Sequence, residues 1–515
     1  MPLAAPRSSK SDVMSRVPSF SPGPIYGEFS HTIGGAGFSG SHRFGVIDPA
    51  TAQVFAQCPE ATRDQLDAAV AAARKAFSTW GSMPVEERRA YVNALAQLLR
   101  SEVGTLAPLL TQEQGKPLKE AEREILSSAD HIDALCKVDI GPELLRSGER
   151  DHVQLQYYPL GVIGAITPWN FPVALAIWKV GHALYTGNTV VLKPSPYTPL
   201  TTLRIAELTR GVLPAGVLNV LAGGGDCGAW MCEHPDIDKI SFTGSVPTGK
   251  RVLATASTSL KRVTLELGGN DAAIVLPDAD VAEIAHGLFW GAFRNSGQVC
   301  KAIKRIYIHE TLYEPLGEAL ADIARSTRVG NGFDPSVQLG PVQNRPQFDI
   351  VKGLIDDALA NGGRLLSGNE PVSDEGYFIA PTLVADMAKG HRLVEEEPFG
   401  PAVPLISYRS IDDAIRQAND SRFGLSGSVW TSDPDWGRTI ASRLEVGTAW
   451  VNQHGAADPE LPFGGAKESG VGRENSILGL RDYMQLRVVQ SPPVSGQRST
   501  HTIRSVPEPA SNLKA

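Results

Sequence analysis

Cys300 closes the segment Phe293-Arg294-Asn295-Ser296-Gly297-Gln298-Val299-Cys300, and Glu266 stands 34 residues upstream in the run Leu265-Glu266-Leu267-Gly268-Gly269. A thiolate forms a covalent bond to a carbonyl carbon, and a carboxylate nearby can activate the water that cleaves the resulting ester. The pair therefore outlines a two-stage acyl chemistry. Asn170, in Pro168-Trp169-Asn170, has two readings. Between prolines it is a turn residue. Beside a cysteine nucleophile its amide can donate to the oxyanion formed on attack, with the backbone N–H of Cys300 as the second donor. Loss of one such donor typically costs about 3 kcal/mol of transition-state stabilisation.

Three further motifs follow in order: Phe242-Thr243-Gly244-Ser245, Glu397-Pro398-Phe399-Gly400-Pro401 and Pro462-Phe463-Gly464-Gly465. Together with Cys300, Glu266 and Asn170 they make the chain resemble the aldehyde dehydrogenase superfamily, from about residue 45 to about residue 490. The resemblance implies oxidation of an aldehyde to the carboxylic acid with hydride transfer to NAD(P). Cys300 forms a thiohemiacetal and then a thioester, and water activated by Glu266 hydrolyses it. Release of the free acid is expected, because branches that acylate coenzyme A lack the glutamate of that motif. Lys179, nine residues beyond Asn170, is the expected member of a proton relay.

The same resemblance assigns the cofactor residues. The pyrophosphate is expected near Ser245, where a strand gives way to a helix N-terminus with free N–H groups, and Gly244 lets the backbone approach. Lys193 is expected on the adenosine ribose. Glu397 and Phe399 are expected at the nicotinamide ribose and ring, although alone they read as an exposed acid and a core aromatic. Ile166, Trp169 and Phe242 are counted with them. Gly224 and Gly228 belong to Gly223-Gly224-Gly225-Asp226-Cys227-Gly228, a G-x-G-x-x-G run that follows a strand and opens a helix, where a tight turn is the competing reading. Gly35 to Gly40 satisfies the same pattern with no apolar strand before it, and reads as a decoy. Family members commonly place a glutamate three residues after the lysine, where this chain has Pro196. Without that carboxylate nothing repels a 2′-phosphate, so NAD is expected to work and NADP to be accepted as well.

Substrate residues are less clearly marked. Arg294 matches an arginine that binds the substrate carboxylate in succinate-semialdehyde dehydrogenases, and Lys301 directly follows the nucleophile. Trp178 occupies the place of a second arginine in those enzymes, and Phe171 is counted with it. A general or aromatic aldehyde is the expected substrate, and an acidic semialdehyde the alternative. Two readings of other classes stand beside these. One is a catalytically silent nucleotide-binding structural protein; the other is a cysteine hydrolase, which needs a histidine partner for the thiol.

The elements that position these residues read as α/β. Helical patterns run from Asp64 to Trp80 and from near Pro84 through Leu99. Strand and helix signals then alternate: Val162 to Ile166, Val173 to Leu184, Thr189 to Leu192, Leu200 to Val212, Val217 to Leu221, Cys227 to Glu233, Lys239 to Phe242 and Pro247 to Ala256. Such alternation predicts parallel strands joined by right-handed crossovers, a doubly wound Rossmann-type unit. A second alternating region follows Glu266, including strands at Ala272 to Leu276 and Arg305 to Ile308 and a helix from Val281 to Phe293. The expected division is an N-terminal arm at 1–40, a dinucleotide-binding domain at 41–140 and 160–265, and a catalytic domain at 266–477. A small β oligomerisation arm is expected at 141–159 and 478–495, and a disordered tail at 496–515. Val153 to Tyr158 and Leu486 to Gln490 alternate like exposed strands. In the family such strands pair between subunits, so a homodimer or homotetramer is expected.

Composition bounds the rest. A chain of 515 residues with 42% hydrophobic and 20% charged residues describes a globular protein of two large domains. Its formal charge of −8 and the lack of a basic block argue against nucleic acid as a partner. The apolar stretch Gly161 to Tyr185 is broken by prolines, Asn170, Lys179 and His182, so it reads as buried core and no membrane partner is expected. Cys58, Cys136, Cys227 and Cys232 are scattered packing residues, no metal site is assigned, and a reducing, cytoplasmic location fits. Residues 1 to 24 are basic and serine/proline-rich without a secretory apolar run. They read as a disordered arm, with a mitochondrial-type leader as the alternative.

Overall fold

A computed structural model describes residues 27–493 and 500–501, apart from 41, 149, 369–371, 374 and 457. The expectations for residues 1 to 24 and for most of the tail lie outside the described residues. Five parallel strands lie side by side in the order Leu218–Val220, Thr189–Lys193, Val162–Ile166, Lys239–Thr243, Arg262–Glu266. Their Val- and Ile-rich runs have no polar face, so both sides need covering. Helices Pro172–Tyr185, Leu200–Thr209, Gly225–Glu233 and Val246–Ser257 are the crossovers between them. The chain starts at the central strand, works outward to Leu218–Val220, then jumps back across it to Lys239–Thr243. That reversal opens a crevice at the carboxyl ends of Val162–Ile166 and Lys239–Thr243, the place where doubly wound sheets bind nucleotides.

The edges of this sheet correct the expected division. His31–Ile33 and Ala36–Phe38 form a hairpin that joins the sheet beside Leu218–Val220 and is not part of a separate arm. Its turn carries Gly34 and Gly35 at φ of 59° and 80°, and the Gly34 N–H donates to Asn219 Oδ1 at 2.8 Å. The glycine run beginning at Gly35 is thus hairpin, with strands too short to show in the pattern. At the opposite edge Gly470–Val471 returns from the far end of the chain to pair with Arg262–Glu266.

The second sheet has the order Arg364–Ser367, Thr382–Ala385, Ala402–Tyr408, Ile303–His309, Asp271–Val275, Ser426–Trp430, Thr448–Val451, and all but its first strand run parallel. Only Leu267 to Asn270 separate its strand Asp271–Val275 from Arg262–Glu266 of the first sheet. The junction therefore carries Glu266 at its edge.

Two helices, Val103–Gln114 and Leu118–Leu135, have no counterpart in the sequence reading. The first is buried continuously from Thr111 to Gln114, and the second buries Glu124, Ser128 and His131 among its apolar residues. Polar groups on the core face erase the apolar period. The arm strands His152–Pro159 and Met484–Ser491 pair with each other in antiparallel register, Met484 opposite Pro159 and Ser491 opposite His152. Glu143–Ser147 flanks them, and Thr500–His501 pairs with Ser147 and Arg146. That short strand departs from the expectation of a wholly disordered tail. Among the described residues no helix is long and apolar enough to cross a membrane.

Candidate active site

Cys300 lies between helix Val281–Phe293 and strand Ile303–His309, on a loop whose backbone is unusual. Asn295, Ser296 and Gly297 follow one another in the left-handed region, with φ of 52°, 55° and 70°. Such a run persists only where its surroundings hold it. Asn295 Nδ2 donates to the Asn170 carbonyl at 3.1 Å, Ser296 Oγ to the Gly340 carbonyl at 2.7 Å, and Gln298 Nε2 to the Asn295 carbonyl at 2.9 Å. A Cβ on Gly297 would come within 2.2 Å of the Gly400 carbonyl oxygen, so glycine alone lets this loop pass the Glu397 to Pro401 segment.

Asn170 answers the clasp: its Nδ2 donates to the Gln298 carbonyl at 2.9 Å. One amide hydrogen is thereby fixed and the other remains for a ligand. The Asn170 carbonyl also accepts from Lys116 Nζ at 3.1 Å. Lys116 pairs with Glu124, both side chains almost wholly buried, and Glu124 Oε1 accepts the N–H groups of Val173 and Ala174 at 2.9 and 3.0 Å. A buried ion pair thus ties the Cys300 loop, Asn170 and the start of helix Pro172–Tyr185 into one unit.

Glu266 ends its strand wholly buried, and neither carboxylate oxygen has a hydrogen-bond partner among the described residues. Burial raises its pKa well above the ordinary carboxylate value, and Glu474 adds to the rise while Lys179 and Arg473 oppose it. Lys179 pairs with Glu474 and donates to Ser241 Oγ at 3.1 Å, so the expected relay lysine has a specific acidic partner. A Cβ on Gly464 would lie 3.0 Å from Glu266 Oε1, which brings the Pro462 to Gly465 motif against the carboxylate. Burial likewise pushes the Cys300 thiol up to about 11, with Lys304 and Lys301 pulling it down and Glu266 pushing it further up.

A cleft of about 660 Å³ exposes Cys300 together with Asn170, Trp169, Gly244, Ser245, Glu397 and Phe399. A second, of about 750 Å³, shares Trp169, Gly244 and Ser245 and continues past Ile166, Lys193, Gly224, Gly228 and Phe242. All ten residues expected to hold a cofactor line this groove. A dinucleotide suits it chemically. Thr167 and Thr243 line it, with buried hydroxyls that have no partner among the described residues, and Ser245 opens helix Val246–Ser257 without capping its first-turn N–H groups. Lys193 Nζ donates to the carbonyls of Pro194 and Gly223 at 3.0 and 2.9 Å, leaving one donor for a ligand. Phe399 sits at φ 45°, a strained value for a bulky residue, with its ring edge-on to Trp169 at 5.3 Å.

The expected substrate residues are not gathered as well. Arg294 pairs with Glu120 at 3.3 Å and lines a separate surface cavity of about 580 Å³, so its guanidinium is drawn away from Cys300. Trp178 stacks on His131 at 4.9 Å, and the Phe171 ring lies 4.1 Å from Lys116 Nζ. Lys301 is absent from the lining of both clefts and lies beside Phe463 and Trp450. Sequence reading missed Lys116, Glu124, Gln298, Lys304 and Glu474, whose charged or amide side chains carry no mark of burial. Lys304 Nζ, almost fully buried, donates to the Val299 carbonyl at 3.0 Å and pairs with Glu397 at 3.3 Å. His454, which touches the residue after Cys300, has its ring nitrogens engaged by Ser428 Oγ at 2.9 Å and the Lys301 carbonyl at 2.8 Å. The hydrolase reading therefore lacks its base among the described residues.

This groove, with the Cys300 thiol and the Asn170 amide at one end and the Glu266 carboxylate buried nearby, has the layout expected of a nucleotide-dependent enzyme of acyl chemistry. The aldehyde dehydrogenase family profile matches residues 38–489, and the chain belongs to that family. Among individual relatives, the DhaS protein of Bacillus subtilis (strain 168), which carries an aldehyde dehydrogenase name, is 38% identical over 473 residues, 90% of this chain and 94% of its own. The NAD+ complex of a Bacillus cereus aldehyde dehydrogenase superposes with a TM-score of 0.86 at 35% identity, covering 91% of this chain and 97% of that one. Betaine aldehyde dehydrogenase from Staphylococcus aureus, also solved with NAD+, gives 0.86 at 31% identity over 91% and 96%.

Proposed function

We propose that the chain oxidises an aldehyde to the free carboxylic acid through covalent catalysis at Cys300. The observation that carries this reading is the placement of Cys300, Asn170 and the cofactor-type residues on one groove, with Glu266 buried behind it. The Cys300 thiolate attacks the carbonyl carbon. The free amide hydrogen of Asn170 and the Cys300 backbone N–H hold the resulting oxyanion. NAD, when bound along Ser245, Lys193, Glu397 and Phe399, supplies the hydride acceptor that allows the thiohemiacetal to become a thioester. Glu266 in its ionised form takes a proton from water, which attacks the thioester carbon and expels the Cys300 thiolate. The Lys179–Glu474 pair stands ready to move that proton onward.

NADP is accepted as well in this reading, because Pro196 stands where a glutamate would repel a 2′-phosphate and Arg251 lines the same cleft, in which Asp226 is the carboxylate present. The chain assembles as a homodimer or homotetramer through the arm, whose strand Met484–Ser491 keeps one edge free and exposes Leu486 and Val488. It works in the cytoplasm, where its cysteines, all unpaired among the described residues, stay reduced. A panel of aldehydes with NAD or NADP, followed by reduced-nicotinamide absorbance, tests the reading. Turnover is expected with both dinucleotides, and Cys300→Ala should abolish it while dinucleotide binding persists. Absence of reduction with every aldehyde, or turnover surviving in Cys300→Ala, contradicts it.

A further inference from the structure

Lys301 immediately follows the nucleophile, yet its side chain turns away from the cofactor groove. Lys301, Trp450, Ala456 and Phe463 are all absent from the lining of the two clefts that hold Cys300 and the cofactor residues. Its ammonium lies 5.3 Å from the Phe463 ring centre and 5.9 Å from that of Trp450, and donates to the Ala456 carbonyl at 3.2 Å. A hydride must leave the thiohemiacetal carbon towards the groove. The remainder of the aldehyde must then extend from Cys300 away from the hydride acceptor, and Lys301, next in the chain and outside the lining of both clefts, is a side chain available to meet it.

The charge at that point is not neutralised by the protein. Lys116, Lys179 and Lys304 each pair with a glutamate, Glu124, Glu474 and Glu397, whereas the buried Lys193 and Lys239 meet carbonyl or hydroxyl oxygens and no carboxylate among the described residues. Lys301 meets no carboxylate within ion-pair distance among the described residues and spends one of its three donors on Ala456. Aromatic faces stabilise a cation but offer no acceptor for its remaining N–H groups. Arg294, the next nearest basic group on this side, repels Lys301 and is itself held by Glu120. Burial lowers the Lys301 pKa, the cost that an arriving anion would relieve.

We propose that Lys301 is a specificity-determining residue that favours aldehydes bearing a second, anionic group, which its ammonium receives beside the rings of Phe463 and Trp450. The proposal rests on the Cys300 reading above and names its substrate class. The role differs from the one expected of Arg294, since the cation is contributed by the residue next to the thiol.

A matched pair of substrates isolates the effect: para-carboxybenzaldehyde against benzaldehyde, with the ratio of kcat/KM as the readout. Any influence of Lys301 on thiol reactivity cancels in that ratio, because both aldehydes use the same Cys300. The wild type is expected to prefer the carboxylated aldehyde, Lys301→Met to reduce the ratio by about tenfold or more, and Lys301→Arg to retain most of it. A second readout needs no turnover. Terephthalate should protect Cys300 from iodoacetamide in the wild type better than benzoate does, and lose that advantage in Lys301→Met. An unchanged ratio and unchanged protection in a folded Lys301→Met protein overturn the proposal. Should the wild type oxidise neither aldehyde, the protection experiment alone decides whether Lys301 receives an anion, while the Cys300 reading is judged separately by the full aldehyde panel.

Discussion

At the residue scale the dominant feature is that burial disfavours the charged form of both Cys300 and Glu266. Burial lifts the Cys300 thiol to about 11 and lifts Glu266 well above the carboxylate range. A thiol with a raised pKa is mostly protonated at neutral pH, and its thiolate fraction grows about tenfold for each pH unit below that value. The rate of Cys300 alkylation in cofactor-free protein should therefore climb through neutral and mildly alkaline pH without levelling off. Iodoacetamide labelling followed by mass spectrometry measures it, and a plateau near neutrality would show that the cations Lys304 and Lys301 outweigh burial. Glu266 has the same sign: it acts as a base only in its ionised fraction, so thioester hydrolysis should also speed up as pH rises.

The residues proposed to meet the substrate stood out in the sequence because their chemistry restricts the choice. A thiol, an amide and a carboxylate in ordered motifs have few other common purposes. The groups that hold them were not legible. Glu474 and Lys116 are written like surface charges, and only the fold reveals that each sits nearly wholly buried against an opposite charge. Arg294 shows the converse. Its position suited a carboxylate contact, but Glu120, one helix away, captures the guanidinium.

At the element scale, strands with uninterrupted apolar runs announce themselves, and Val162–Ile166 and Lys239–Thr243 fall where the pattern puts them. The hairpin at His31–Ile33 does not, since three-residue strands carry no period. Helix Val103–Gln114 is hidden by polar side chains on its buried face, Glu113 among them, which accepts the N–H groups of Leu200 and Thr201 at 2.7 and 2.9 Å. The arm was visible as alternation, while the mutual pairing of His152–Pro159 with Met484–Ser491 needed the fold. If the free edge of Met484–Ser491 joins subunits, deleting residues 486–515 should lower the oligomeric mass seen by light scattering. An unchanged oligomer would assign assembly to another surface.

At the scale of the whole molecule, the two sheets each carry one of the two groups proposed to do the chemistry. Glu266 closes the last parallel strand of the first sheet, and Cys300 precedes the strand Ile303–His309 of the second. Their separation in sequence allows one to act on acylation and the other on release. The central claim is that these steps are distinct and that Glu266 serves the second. Rapid mixing of Glu266→Gln with aldehyde and NAD tests it most directly, with intact mass spectrometry of the quenched protein. Hydrolysis is expected to slow by about a hundredfold or more. The prediction is a burst of reduced nicotinamide close to one equivalent per site, then slow turnover, with the acyl mass located on Cys300. No burst, no acyl-enzyme on Cys300, or hydrolysis at the wild-type rate would contradict the account.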